Sequence, residues 1–264
     1  MINMVMSIWN YRHFIYASIL AELKGRFARS KLGLFWSILH PLAQSTIYAV
    51  VLSEILSAKL HGIDDKAAYS IYLIAGLASW NLFIEIFNRC LTVFIDYAGV
   101  LKKIVFPRVC LPIIVWGSAL VNHILLLFAA AVVFLFFGHF PQATWLAIPI
   151  GILLISMFAF GLGLLLGVFN IFVRDIGQAV AVILQIWFWL TPIVYTVETV
   201  PEKFRWIVEL NPMTALVRLY QDALLFHRWP SVETLIYPAV VSLTLLIVAL
   251  VVFKRANSEL VDAL

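Results

Sequence analysis

Charge is scarce in this chain. Of its 264 residues, 12% are Asp, Glu, Lys or Arg and 64% are hydrophobic, whereas a soluble domain carries roughly 25% charged residues. A water-soluble globular domain could not hide so much apolar surface, so that class is excluded and lipid is the expected solvent. Cysteine is nearly absent: Cys90 and Cys110 support no disulfide framework and read as small buried or interfacial thiols. There is no G-x-x-x-x-G-K-[ST] loop to cradle phosphates, so no nucleotide cofactor is expected on the chain itself. Gly161 and Gly167 bracket a run with a superficial likeness to a dinucleotide fingerprint. That run lies inside an apolar stretch with no strand before it, and close helix packing explains it better. No H-E-x-x-H, G-x-S-x-G or Cys/His cluster occurs, and the six histidines (His13, His40, His61, His123, His139, His227) are scattered, so no metal site is expected. The chain shows neither related halves nor an apolar signal segment with a cleavage site.

Six apolar stretches remain, each able to supply the roughly 20 helical residues a hydrocarbon core needs. They cover 34–56, 69–87, 111–137, 145–172, 180–197 and 235–253. The fifth carries Thr191-Pro192 near its end, where a helix should kink or stop. With both termini on the cytoplasmic side, twelve Lys and Arg lie inside and six outside, the orientation that the positive-inside rule favours. Segment 198–234 is discordant, with Lys203, Arg205, Arg218 and Arg228 on the outside. Pro201 and Pro212 stand where helices can begin. Apolar residues then recur at helical spacing: Phe204, Ile207 and Val208, then Leu216, Leu219, Tyr220 and Leu224. Two short amphipathic helices are expected there, at the outer surface or dipping back into the membrane. The first 33 residues carry Ile8, Tyr11, Ile15, Ile19, Leu23 and Phe27 on one stripe, with Arg12, Glu22, Lys24, Arg26 and Arg29 on other faces. That pattern predicts an amphipathic helix in the cytoplasmic headgroup layer. The net charge of +4 is no sign of nucleic-acid binding, because the basic residues flank apolar spans.

The predicted fold is thus all-α: six transmembrane helices, an N-terminal interface helix and short re-entrant helices between the fifth and sixth spans. The whole of 1–264 reads as one membrane domain, with 254–264 as a cytoplasmic tail. Ionisable residues at membrane depth are the first functional candidates. Glu85 and Arg89, four apart, can pair on one helix face. Glu54 and His123 lie in or near apolar spans. Polar groups also hold helices together, so each has a structural reading beside the functional one.

Four stretches, in order, resemble the permease subunits of bacterial ABC exporters for O-antigen, capsule and teichoic-acid polymers. They are Arg29 to Leu42 (RSKLGLFWSILHPL); Leu101 to Arg108 (LKKIVFPR) with Leu111-Pro112; Asn170 to Ile176 (NIFVRDI) running on to Trp189–Tyr195 (WLTPIVY); and Leu210 to Thr214 (LNPMT) with Tyr220-Gln-Asp222. The resemblance covers essentially the whole chain and looks closest to O-antigen exporters. It implies a homodimer of permeases on two copies of a separate ATP-binding subunit, which would carry ATP and Mg. It implies a coupling helix in 88–110, at which Lys102, Lys103, Phe106, Pro107 and Arg108 are the expected contacts. It implies paired re-entrant helices closing the outer side, and a lipid-linked polysaccharide as cargo. The pyrophosphate of such a lipid would meet Arg26, Arg29 and Lys31 at the cytoplasmic entrance. Sugar CH faces stack on aromatic rings without fixed charges, so Trp36, Tyr48, Trp80, Phe83, Phe87, Trp187 and Tyr195 are candidates to line the path. The rival readings are an exporter of a drug or small lipid in the same ABC class, an ion-coupled secondary transporter using Glu85 or His123, and a membrane enzyme acting on polyprenyl-linked sugar.

Overall fold

In the computed structural model, residues 2–28, 39, 43, 66–103 and 106–256 are described. The expected first span, 34–56, falls outside them except at 39 and 43. All regular structure among the described residues is helical.

The N-terminal region is two helices rather than the one expected: α1, Ile2–Asn10, and α2, Arg12–Ala28, meet in a turn at Tyr11. At the turn the Arg12 guanidinium donates to the Trp9 carbonyl at 3.0 Å and lies over the Trp9 ring. The long α3, Lys66–Asp96, follows, then the four-residue α4, Ala98–Leu101, and α5, Cys110–Phe136. A 3-10 turn, Ala143–Ala147, leads into α6, Ile148–Phe172, and α7 spans Asp175–Leu190. Two short helices come next, α8, Glu202–Glu209, and α9, Pro212–Gln221, the latter running into a π turn, Asp222–Phe226. The last helix, α10, is Val232–Ala256. Among the described residues, four segments are long and apolar enough to cross a membrane: Ala68–Asp96, Cys110–Phe136, Ala143–Phe172 and Val232–Ala256.

Two boundaries differ from the sequence expectation. The second span runs nine residues beyond 87, because nothing up to Asp96 breaks it and Thr92 Oγ1 donates to the Asp96 carboxylate at 2.6 Å. The loop expected over 88–110 is thereby reduced to α4 and its flanks. The expected span 180–197 becomes α7 at 175–190, whose 16 residues measure about 24 Å. The helix stops because the residue before a proline is driven out of the α region. Thr191 is extended there (φ −102°, ψ 130°), and its hydroxyl caps the Trp187 carbonyl at 2.8 Å.

The core is built on α3, and α6 packs between α3 and α10. Two glycines make that three-layer contact possible. A Cβ on Gly161 would stand 2.8 Å from the Leu246 backbone nitrogen on α10, and one on Gly163 2.8 Å from the Phe87 carbonyl oxygen on α3. Small residues let helix backbones close on each other where lipid offers no hydrophobic drive to bury larger ones. The outward side of α10 presents Ile236, Val240, Leu243, Ile247 and Val251 at helical spacing, all exposed in this chain. An aliphatic, uncharged stripe of that kind suits lipid.

Candidate functional site

One end of the bundle is closed by a polar clamp. Arg89 Nη2, on α3, lies 2.6 and 2.7 Å from the two carboxylate oxygens of Glu22, on α2. Ser118 Oγ, on α5, donates to the same carboxylate at 2.9 Å. Glu85 Oε1 accepts from Asn122 Nδ2 at 2.6 Å and stands 3.8 Å from Arg89 Nη1. The nearer carboxylate for Arg89 is therefore Glu22, not Glu85, the partner expected from spacing. Glu22 was assigned to a polar face of the N-terminal helix. The signal that it turns inward is its place seven residues after Ile15, which is buried against Cys110 and Ile114.

The turn after α4 lies at this same end. Lys102 and Lys103 are exposed, while Phe106, Pro107 and Arg108 are partly buried. The Phe106 ring meets Phe14 of α2 at 5.5 Å between centroids and packs against the Ile15–Cys110–Ile114 cluster. The loop is thus bound to α2 while its two lysines project. Arg29, Lys31, Trp36 and Tyr48 lie outside the described residues, and of Arg26 only the backbone in α2 is described.

The candidate path aromatics divide. Phe83 and Phe87 are enclosed in the core, Phe83 stacking on Phe87 and on Phe158, each at 5.6 Å. Both lie on the side of α3 away from Asn81, Glu85, Asn88 and Thr92, and Gly163 of α6 packs closely against that side at Phe87. Trp80 is also mostly buried, its ring against Phe83, Phe188 and Trp187. Its edge borders a groove of about 480 Å³ between α3 and α7, where Asn81, Asn88, Gln185, Phe188 and Trp189 also lie. Trp187 donates from Nε1 to Asn211 Oδ1 at 2.9 Å, and Asn211 Nδ2 donates to Thr191 Oγ1 at 2.9 Å. Asn211 Oδ1 also caps the Met213 amide, so one side chain joins the end of α7 to the start of α9. Tyr195 is half-buried and donates to the Trp189 carbonyl at 2.9 Å. The groove residues Asn81, Asn88, Gln185 and Trp189 were not singled out in the sequence, although Trp189 opens one of the recognised stretches.

At the opposite end, the 191–197 turn is held by tyrosines of α3. Tyr69 donates to the Val194 carbonyl at 3.0 Å, and Tyr72 to those of Tyr195 at 2.8 Å and Pro192 at 3.2 Å. Gln221 of α9 donates to the Pro192 carbonyl at 3.2 Å. The amphipathic stripe expected on α9 is the one it buries: Leu216, Leu219 and Tyr220, with Leu224 in the π turn, are all in the core. On α8 only Val208 is buried, and Phe204 and Ile207 are exposed. His123 bonds to Tyr220 Oη at 2.9 Å, tying α5 to α9. Among the described residues, no group of three or more His, Cys, Asp or Glu is placed to hold a metal.

The model of the ABC-2 type transporter family matches residues 13–225. The chain belongs to this family. The match runs from α2 through the groove into the π turn, and leaves α1 and α10 outside it. Similar curated proteins agree with it in length. The O-antigen export system permease protein RfbA of Klebsiella pneumoniae is 30% identical over 251 residues, covering 92% of each chain. That of Myxococcus xanthus is 27% identical over 266 residues, covering 100% of each. The polysialic acid transport protein KpsM of Escherichia coli is 21% identical over 256 residues, covering 94% of this ABC-2 chain and 95% of its own.

Proposed function

We propose that this chain is the membrane subunit of an ATP-driven exporter that moves a lipid-linked polysaccharide of the O-antigen class from cytoplasm to periplasm. The observation that carries this reading is the end-to-end similarity to permeases of O-antigen export systems, with neither chain overhanging the other appreciably. The working unit is a homodimer on two copies of an ATP-binding subunit that holds ATP and Mg. Both termini face the cytoplasm, and six helices span or enter the membrane, counting α7 and the segment 34–56. Lys102 and Lys103 then face the ATP-binding subunit, with Phe106 passing its motion to α2. Arg26, Arg29 and Lys31 stand at the entrance for the lipid pyrophosphate.

The chemistry of the α3–α7 groove supports the same cargo. A polysaccharide is too polar for lipid and needs a protein-lined route. Amides such as Asn81, Asn88 and Gln185 both donate to and accept from hydroxyls. The rings of Trp80 and Trp189 offer apolar faces to sugar CH groups. None of these five groove residues carries a charge, so contact is weak and repeated, which suits a sliding polymer as multi-site binding suits conduction. The test is deletion of the gene, with surface polysaccharide measured by gel and antibody. Loss of the surface polymer, with lipid-linked polymer retained inside, is expected. Unchanged surface polysaccharide in the deletion strain would end this reading.

A further inference from the structure

A larger cavity, of about 1040 Å³, opens between α8, α9, the π turn and the first turns of α10. It follows the groove closely in sequence: α7 carries Trp189 at the groove, and the turn that follows brings Pro192 and Thr196 to the cavity wall. Its size is that of a site for a sizeable small ligand, about 300–1,000 Å³ being usual. Its walls are unlike those of the lipid-facing helices. Glu198, Glu209, Asp222 and Glu233 stand against two cations, Arg218 and Arg228. An acyl chain would have to strip water from these six ionisable groups with nothing to replace it, which is costly. The excess of carboxylates over guanidiniums disfavours an anion. The Glu198–Arg218 pair is loose, at 4.0 Å with both side chains well exposed, so their oxygen and nitrogen atoms are accessible to hydroxyls. Two indole rings, Trp206 and Trp229, also border the cavity, each 59% exposed. Rings left uncovered beside a set of carboxylates and guanidiniums supply the two contacts a sugar offers, stacking for its CH face and paired donors and acceptors for its hydroxyls.

We infer that this cavity is a saccharide-binding subsite that takes a short uncharged segment of the cargo as it leaves the α3–α7 groove. The inference rests on the export reading above and adds a site to it. A segment held here by rings and hydroxyl contacts is hindered from slipping back between power strokes. An acidic polymer segment would meet the carboxylate excess and bind less.

The full-length chain, co-purified with its ATP-binding partner, is the material for the test. Saturation-transfer NMR is recorded with maltotetraose and chitotetraose as neutral probes and an oligogalacturonide of equal length as the acidic one. Transfer to ring CH protons of at least one neutral probe is expected, with weaker binding of the acid. Trp229→Ala and Trp206→Ala, on separate elements, should each weaken that binding by about 3- to 10-fold, and Trp229→Phe should keep most of it. The proposal is overturned if neither neutral probe binds, if both alanine variants bind as wild type does, or if the oligogalacturonide binds as tightly. Displacement of the sugar by short-chain phosphatidylethanolamine would also overturn it, marking the cavity as a lipid groove. Complementation of the deletion strain separates the two ideas. A wild-type chain that restores no export defeats the export reading, whereas restored export without sugar binding defeats the subsite alone.

Discussion

Nη2 of Arg89 on α3 bridges both carboxylate oxygens of Glu22 on α2, at 2.6 and 2.7 Å, and the pair fixes α2 to the bundle. Ser118 adds a third element to the same carboxylate. Replacing Glu22 by Ala should lower stability by about 1–2 kcal/mol, less than a fully buried pair would cost because both side chains retain some solvent contact. Thermal unfolding in detergent measures this, with Glu22→Gln expected to be milder because it keeps an acceptor for Ser118. Equal melting temperatures for wild type and Glu22→Ala would show that the clamp holds nothing.

The glycines of α6 give a sharper packing test. Gly163→Ala puts a methyl 2.8 Å from the Phe87 carbonyl oxygen, and Gly161→Ala puts one as close to the backbone of α10. Each should destabilise the chain by about 1–3 kcal/mol through forced helix separation. Gly99→Ala, whose methyl meets nothing within 4 Å, is the control and should be neutral. Melting temperature and detergent-extracted yield are the readouts.

Lys102 and Lys103 project from a turn that Phe106 binds to α2. Reversing both to Glu should reduce export several-fold while membrane insertion and protein level stay near wild type. Co-purification with the ATP-binding subunit should fall in parallel. Normal export with normal co-purification would remove these lysines from the interface.

Cys90 and Cys110 are both buried, so an impermeant maleimide should leave the unaltered chain unlabelled in intact cells. With both replaced, a single cysteine at Glu202, on the exposed side of α8, should label from outside. Labelling from the cytoplasmic face only would reverse the orientation proposed for α8 and α9.

A pH effect should come from the turn that follows the π segment. His227 adopts a left-handed backbone (φ 53°) and stacks on His139, ring centroids 4.6 Å apart and planes within 11°. Burial first, then the neighbouring His139, lowers the His227 pKa below its ordinary 6.5. The unfolded chain therefore takes up the proton first as pH falls. Stability should be flat above about pH 7 and decline below about 6.5. In His227→Asn, which tolerates the left-handed conformation, that share of the decline should vanish. Melting curves between about pH 5 and 8 decide it, and an identical slope in the variant would exclude His227 as the source.

The sequence by itself determined the helices and several of their ends. Uninterrupted apolar runs demand helix because lipid satisfies no backbone group, and α5, α6 and α10 follow from that alone. Thr191-Pro192 ends α7 and Asn211-Pro212 starts α9 for local reasons, a disallowed backbone region in one case and a side-chain cap in the other. The stripe that α9 buries was legible because its other face is polar.

Only the tertiary structure decided which way the apolar helices face. In α3 Asn81, Glu85, Asn88, Thr92 and Asp96 recur on one side, so periodicity names a polar side but not the helix that covers the other. Phe83 and Phe87 turn into the core, and Trp80 stands at its edge, because Gly163 of α6 allows a close approach on that side. Trp189 is left 60% exposed at the groove, one residue before α7 stops. Glu22 shares the side of α2 that carries Ile15, but its cation lies 67 residues away on α3, and that pairing is encoded by no local pattern. The cavity beneath Trp206 and Trp229 likewise exists only when α8, α9 and α10 are assembled, since each contributes a wall and none shows a site alone.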